Sequence, residues 1–241
     1  MSAPGASALK APARSQDDAA TLLRLEARLP PLLSVIAGMV DLTGCFTLGH
    51  IFTAHVTGNL VVAVAVAVHG GPFNTASMLA IPVFIVALAI VWFIASASRR
   101  TGPSLARLLL LVQFLLLAFV LIFAVLTKPS LHPAGLTAGV AAMIAVCAMA
   151  CQYALLRLAI PGAISTAVMT GNLTNTVLSL MDLLSKRHAL LPVDPGRLKR
   201  SLYLLFGFLL GCLVAALAIS VVGDWAWSCP VALAALAIAI R

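Results

Sequence analysis

Long apolar runs separated by short polar segments make up the chain from about residue 30 to its end. About 20 apolar residues are enough to cross a bilayer as an α-helix. Four runs meet this requirement with no charged residue inside them: 76–98, 108–127, 134–156 and 201–222. The run 31–49 is as long but contains Asp41, and the shorter run 225–240 begins with Trp225 and Trp227, which is typical of a membrane–water interface. The pattern predicts six full spans.

Two shorter apolar runs, about 56–69 and 165–184, carry the same motif. The sequence GHIFTAHVTGNL at 49–60 and the sequence GAISTAVMTGNL at 162–173 are identical at eight of twelve positions, and the offset between them is constant. Biased apolar composition does not place a Thr-Gly-Asn triplet twice at one offset. We therefore predict two internal repeats, about 30–127 and 134–241.

The positions of the basic residues favour one topology. If each short run enters and leaves the membrane on one side, fourteen of the fifteen Lys and Arg residues share the cytoplasmic face, and Lys128 alone lies outside. The repeats are then inverted. We predict an all-α integral membrane protein, a polytopic helical bundle of six full spans plus two short or broken helices. The alternative is eight spans with parallel repeats, in which Arg99, Arg100, Arg107 and Arg157 face outward.

The composition agrees with a membrane protein. Hydrophobic residues make up 62% of the 241 residues and charged residues only 9%, whereas a soluble domain has about 25% charged residues. A soluble enzyme, a disordered protein and a nucleic-acid-binding domain are therefore not expected. The net charge of +8 indicates cytoplasmic loops that are attracted to anionic lipid, so the lipid bilayer is the expected partner and nucleic acid is not.

The segment 1–29 is more polar than the rest of the chain. It lacks the apolar run and small-residue cleavage site of a signal peptide. We predict a cytoplasmic N-terminal segment, disordered over 1–16 and forming a short amphipathic helix on the membrane surface over 18–29, followed by one transmembrane domain over 30–241.

The duplicated motif predicts a site where two helices are broken. Gly49 and the pair Pro161-Gly162 interrupt the preceding helices, and a Thr followed by Gly-Asn is suited to cap the next one. Broken half-helices that meet near the midplane hold the substrate in many inverted-repeat transporters. The alternative is that the motif only allows close helix packing. The candidate site residues from the motif are Thr57, Gly58, Asn59, Thr170, Gly171 and Asn172.

Asp41 is the one acidic residue in the middle of an apolar run. A carboxylate at this depth is costly and is a functional candidate by default, for exchange of a proton or coordination of sodium. The alternative is a paired Asp that locks two helices together. The sequence offers four partners and does not choose among them: His50, His55, Gln152 and Arg157.

The second short run has a polar face that the first lacks. Asn172, Asn175, Ser179 and Asp182 recur at helical spacing, whereas the stretch after Asn59 is VVAVAVAV. This face fits a solute pathway or a hydrogen-bonded seam equally well. Gln152 is a further pathway candidate, although a lone Gln in a span is more typical of a bridge between helices.

Other chemistry is weakly indicated. The motifs of zinc proteases, serine hydrolases and P-loop proteins are missing from the sequence, and the Cys and His residues have no metal-site spacing. The residues His50, His55 and His69 are expected at an interface. We therefore expect no enzyme activity, no catalytic residue, no metal and no cofactor. Gly207 and Gly211 form a GxxxG face for packing within the chain or in a homo-oligomer.

The stretch AGMVDLTGCFTLGHIFTAHVTGNL at 37–60 and the stretch AMACQYALLRLAIPGAISTAVMTGNL at 148–173 resemble the YoaK-type membrane proteins, a bacterial family of unknown function. The resemblance covers most of 30–240 and implies a protein of the bacterial cytoplasmic (inner) membrane. The chain departs from the family pattern at Tyr153, where Asn is more usual after Gln.

From these features we expect a small secondary transporter or permease for a small solute or ion, with its site at the two Thr-Gly-Asn motifs and Asp41 as the group that couples a proton or sodium. The alternatives are a membrane scaffold or assembly factor and, less favoured, a membrane enzyme.

Overall fold

The computed structural model describes residues 13–70, 75–166, 169–184 and 195–240. Within these ranges the chain forms α-helices, two 3-10 segments at Pro129–Leu131 and Gly223–Trp227, and no strand. The helices are α1 Ala13–Thr47, α2 Val56–His69, α3 Thr75–Ser98, α4 Gly102–Thr127, α5 Leu136–Leu158, α6 Met169–Leu184, α7 Pro195–Val222 and α8 Ser228–Ala239. The all-α prediction is confirmed for the part of the chain that is described.

Among the residues that the structure describes, five stretches are long and apolar enough to cross a membrane. They lie in α1, α3, α4 and α5 and in the stretch Leu198–Ala239, which contains most of α7 and all of α8. The helices match the predicted apolar runs, and α2 and α6 are short, as expected from the sequence. The segment 18–29 is part of α1, which continues from Ala13 into the first apolar run without interruption. Residues 1–12 lie outside the described residues.

Helices α1 and α5 form the centre of the bundle and bury more of their length than the other spans. Helix α1 lies against α7 along a row of glycines. A Cβ atom at Gly38 would collide with the backbone of Phe208, and a Cβ atom at Gly211 would collide with the carbonyl of Val35. Gly207 faces the carbonyl of Pro31. The Gly207/Gly211 face is therefore occupied by α1 within the chain, and the homo-oligomer predicted through this face would need another surface.

Three chain segments meet at the N-terminal end of α1. Gly102, at the start of α4, lies beside Leu22. Gly162, which follows α5, lies against the carboxylate of Glu26, and both residues line a small cavity together with Arg200 of α7. The end of α3, the end of α5 and the start of α7 are therefore at this end of the bundle.

The opposite end of the bundle holds the two 3-10 segments. The Ser130 hydroxyl donates a hydrogen bond of 2.6 Å to Oδ2 of Asp224, which joins the two segments, and both segments contact α1. The start of α3 lies beside the start of α5, since a Cβ atom at Gly139 would be 3.5 Å from Ala76. The start of α3, the start of α5 and the segment after α7 therefore share this end.

Candidate functional site

The chain turns back on itself directly after α1. Gly49 and His50 both have a positive φ, 82° and 61°, and they reverse the chain direction after Thr47. The returning segment lies close to α1 because Gly44 has no side chain: a Cβ atom there would be 3.2 Å from both the Ile51 carbonyl oxygen and the Thr53 methyl group. The returning segment 51–55 is thereby brought alongside α1, next to Asp41.

The carboxylate of Asp41 binds the segment that leads into α2. Its Oδ1 atom accepts hydrogen bonds from the backbone N–H groups of Thr53 at 2.8 Å and Ala54 at 2.6 Å. The Thr53 hydroxyl and the N–H of His55, the N-cap of α2, lie 3.4 Å from the same oxygen. A buried backbone N–H group needs an acceptor, and a carboxylate from a neighbouring helix supplies it here. Asp41 itself is only 4% exposed.

The second oxygen of Asp41 pairs with His55. Oδ2 lies 2.5 Å from Nδ1 of His55, whose side chain is 28% exposed. The His55 ring also packs edge-on against Phe208 of α7, with 5.1 Å between ring centres. Of the four partners that the sequence offered for Asp41, the structure selects His55. The interfacial position expected for His55 stays a prediction; what the structure gives is its contact with the Asp41 carboxylate.

Asn59 holds the returning segment in place. Its Nδ2 atom donates to the Phe52 carbonyl at 2.7 Å, and its Oδ1 atom accepts from the Phe52 N–H at 2.9 Å. Both ends of the buried amide are therefore used by one backbone residue. Gly58 lies over the same residue, because a Cβ atom there would be 3.2 Å from the Phe52 ring.

The second break contains an equivalent contact. Asn172 is buried, and its Nδ2 atom donates to the Ser165 carbonyl at 3.0 Å. At the offset of the sequence motif, Asn172 corresponds to Asn59 and Ser165 corresponds to Phe52. Thr166, which corresponds to Thr53, is fully buried.

Two neighbouring residues of α5 each bind one of the breaks. The Tyr153 hydroxyl donates to the Ala54 carbonyl at 2.7 Å, in the first break. Gln152 donates through Nε2 to the Leu33 carbonyl at 2.9 Å and lies 3.4 Å from the Thr166 hydroxyl, in the second break. Its Oε1 atom accepts from Gln113 at 2.8 Å. Gln152 therefore bridges α1, α4, α5 and the second break, as expected of a lone Gln in a span.

The polar face of α6 is turned towards the protein. Asn172 and Thr176 are buried, and Asn175, Ser179 and Asp182 are half-buried. The apolar side chains between them are exposed, among them Leu173, Val177, Leu178 and Leu180. Since α6 packs against α7, the polar face lies towards the bundle and the apolar face is free for lipid.

The threonines of the two motifs do not cap their helices. The N-cap of α2 is His55, which makes no capping bond with its side chain, and Thr57 is exposed within the first turn. Thr170 is likewise exposed inside α6. Capping by Thr57 and Thr170 is therefore wrong, because both residues lie inside the first turn of their helices and not before it. Gly58 and Gly171 are half-buried beside them.

His55 and Tyr153 are the site residues that the sequence did not single out. His55 was one of four possible partners, and Tyr153 was only a departure from a family pattern. A physical signal was available for His55. A turn inside an apolar region has backbone N–H groups that no helix pairs, and a nearby carboxylate is a strong acceptor for them. Asp41 accepts those of Thr53 and Ala54, which places the residues just before α2 beside it.

The apolar helices, with a short helix that begins at a buried carboxylate, define a helical membrane protein whose interior contains broken segments. The chain belongs to the family described as protein of unknown function (DUF1275), whose family model matches residues 29–240. The family resemblance of 37–60 and 148–173 is thereby confirmed. No curated protein and no solved structure matches the chain.

Proposed function

We propose that this protein is a small secondary transporter or permease of the bacterial inner membrane, which moves a small solute or ion through a site between the two breaks. The observation that carries the proposal is the Asp41–His55 pair, which is bound to the start of a short helix inside the bundle. Ionisable residues inside a membrane protein are expensive to bury and mark ion or substrate pathways. The proposal contains no catalytic step.

An internal repeat supports this proposal. The amide-to-carbonyl bonds of Asn59 and Asn172 are equivalent contacts at the offset of the motif. The helix contacts repeat in the same way when α1, α2, α3 and α4 are taken to correspond to α5, α6, α7 and α8. Helix α1 packs on α7 and α5 packs on α3. Likewise, α2 packs on α3 and α6 on α7, and α4 packs on α5 and α8 on α1. Exchanging α1–α4 with α5–α8 preserves these contacts, as expected for two copies of one unit. Such repeats are common in transporters.

The contacts at the two ends of the bundle favour six spans over eight. Gly102 lies beside Leu22, so the basic segment 99–107 begins at the same end as the N-terminal part of α1. Helix α2 connects the far end of α1 with the start of α3, and both of these lie at the opposite end. Helix α6 similarly lies between Gly162 and Arg200 in the chain, and both of these residues line the cavity beside Glu26. Neither short helix therefore needs to cross the membrane. With the basic end in the cytoplasm, the N-terminus is cytoplasmic and the repeats are inverted.

The proposed pathway lies along the starts of the short helices. Thr57 and Thr170 are exposed, and Gly58 and Gly171 are half-buried. The half-buried polar side chains of α6, Asn175 and Ser179, continue this path towards the cytoplasmic end. Gln152 lies between the two breaks. In this arrangement Asn59 and Asn172 hold the backbone of the two breaks in place. The solute contacts the residues beside them, Thr57, Gly58, Thr170 and Gly171.

The test of transport is a flux screen in proteoliposomes with an imposed proton or sodium gradient. Asp41→Asn keeps an oxygen that can accept the N–H groups of Thr53 and Ala54 but removes the charge, so we expect a folded protein that has lost flux. The matched control is Asp224→Asn at the far end of the bundle, whose flux should equal that of the wild type. Unchanged flux in Asp41→Asn would contradict the proposal.

The test of topology is labelling of single cysteines in a background from which the native ones have been removed. Cysteines placed in 99–107 should react only from the cytoplasmic side and those in 69–75 only from the outside. The opposite assignment is expected for eight spans with the N-terminus inside.

A second candidate function is a membrane scaffold or assembly factor that transports nothing. The favouring observation is that both amide atoms of Asn59 and both oxygens of Asp41 are bonded within the chain. A scaffold predicts that Asp41→Asn lowers stability or partner capture while no solute in a broad screen is transported by the wild type.

A further inference from the structure

We propose that His55 is the proton carrier of this protein, with Asp41 as its fixed counter-ion, so that the coupling ion is a proton and not sodium. This inference rests on the proposed transport function and identifies its coupling ion. The juxtaposition that carries it is the buried Asp41 carboxylate, held by backbone N–H groups on one oxygen and by Nδ1 of His55 on the other.

The groups that the described residues place on the two Asp41 oxygens act as hydrogen-bond donors to them. Oδ1 receives two short bonds from backbone N–H groups and has two further donors at 3.4 Å, while Oδ2 faces an imidazole nitrogen. Sodium in transporters is coordinated by carbonyl oxygens and the negative ends of helices. Sodium at this position would displace the bonds that fix the start of α2.

Asp41 is also poorly placed to take up the proton itself. A protonated carboxyl group has less acceptor capacity and less negative charge for the N–H groups of Thr53 and Ala54. Protonation would therefore weaken the attachment of α2 to α1. The ionised form satisfies the helix start and the imidazole at the same time.

His55 has a free position for a proton. With Asp41 ionised, Nδ1 carries hydrogen and donates to Oδ2, which leaves the lone pair of Nε2. Nε2 makes no hydrogen bond with any residue that the structure describes, and the side chain is 28% exposed. A proton from water on one side binds the Nε2 lone pair and gives the imidazolium, and the same proton leaves to water on the other side. The imidazolium and the carboxylate together carry no net charge.

The groups that interact electrostatically with Asp41 from α1, α5 and α7 are two thiols and a phenol. Cys45 on α1, Cys212 on α7 and Tyr153 on α5 are close enough to interact electrostatically with Asp41. Thiols and phenols are protonated and neutral near neutral pH. His50 lies in the same returning segment, where Nδ1 faces Cys45 at 3.9 Å, and it is exposed. Histidine is the side chain whose charge ordinarily changes between about pH 5 and 8. Of the two histidines of this segment, His55 is the one that contacts the carboxylate, and we therefore assign the proton to it.

The experiment records charge movement in reconstituted membranes after a pH jump or a sodium jump, with no solute present. We expect a transient current after the pH jump in the wild type, its loss in His55→Asn, and no current after the sodium jump. Asn keeps an N–H group near the position of Nδ1, so Asp41 retains its partner. The control is His50→Asn, which should keep the current. A sodium-driven current, an unchanged current in His55→Asn or no pH-driven current in the wild type would overturn the inference.

A second measurement does not depend on the variant folding. In the wild type with ¹⁵N-labelled histidine, NMR should show an imidazole whose Nδ1 stays protonated while Nε2 titrates, at the same pH in sodium and in an organic-cation salt. A His55 ring that does not titrate would overturn the inference. A different result would contradict the transport function and leave the inference about His55 in place. That result is the absence of solute flux while the pH-driven current and the NMR titration remain.

Discussion

The two breaks share their Thr and Asn residues but are attached to the rest of the bundle in different ways. In the first break, a carboxylate from α1 binds the backbone N–H groups of Thr53 and Ala54. In the second break, the neutral amide of Gln152 reaches the Thr166 hydroxyl at 3.4 Å. The counterpart of Asp41 at the offset of the motif is Ala154, so the second half has no acid at the equivalent place. A duplicated motif therefore preserves the local shape of the break, while its electrostatics depend on a residue in the preceding helix.

This difference assigns separate roles to the two breaks. The first break has a charged, titratable pair and a strong attachment. The second break is joined at Thr166 to a neutral network of Gln113, Gln152 and the Leu33 carbonyl, and the Glu26 carboxylate lies at its beginning, beside Gly162. Charge-assisted hydrogen bonds are about twice as strong as neutral ones. Removing a partner should consequently affect the first break more than the second.

The largest effect is expected from Asp41→Ala. The substitution leaves the buried N–H groups of Thr53 and Ala54 without an acceptor and removes the counter-ion of His55. An unsatisfied buried donor costs about 1–3 kcal/mol, so we expect the free energy of unfolding to fall by about 3 kcal/mol. Hydrogen–deuterium exchange should increase over 51–60 and stay unchanged over 164–173. Unfolding in a denaturing detergent measures the first quantity and mass spectrometry the second.

The control for this prediction is Asp224→Ala, which removes a carboxylate bonded to Ser130 at the other end of the bundle. It should lower the free energy of unfolding less and leave exchange over 51–60 at the wild-type level. Equal increases in exchange at both breaks after Asp41→Ala would show that they open as one unit, and the contrast between them would be lost.

The apolar pattern was sufficient for most of the fold and for part of the site. Runs such as 76–98 and 108–127 are long and uniformly apolar, so their helices were predicted within a few residues of α3 and α4. Asp41 was identified because a charge inside an apolar run is rare. Its partner was not, because the contact of His55 with Asp41 depends on the reversal at Gly49 and His50, and the direction of such a turn is set by tertiary packing. The bonds from Thr53 and Ala54 to Asp41 were missed for the same reason, since their acceptor is on another helix.

A smaller effect is expected from the two asparagines of the motif. Asn59→Ala breaks two bonds with Phe52, whereas Asn172→Ala breaks the bond with Ser165. A net hydrogen bond contributes about 1 kcal/mol, so we expect losses of about 2 kcal/mol and about 1 kcal/mol in the free energy of unfolding. Denaturation of the two single variants and the double variant measures both values. Their effects should add, because the breaks have separate partners. A larger loss in Asn172→Ala than in Asn59→Ala would contradict this order.

The smallest effect is expected from Tyr153→Phe, which sharpens the comparison because Tyr153 is next to Gln152 in sequence. The substitution removes the hydroxyl that donates to the Ala54 carbonyl and keeps the ring that packs against Phe84. Hydrogen bonds between helices in a membrane contribute about 0.6 kcal/mol on average, so the unfolding free energy should fall by about that amount. In Tyr153→Phe, hydrogen–deuterium exchange should increase at the first break and not at the second. Gln152→Leu should increase exchange at the second break and not at the first. If both substitutions loosen both breaks, α5 couples them, and a movement of this helix would then transmit the charge state of His55 from the first break to the second.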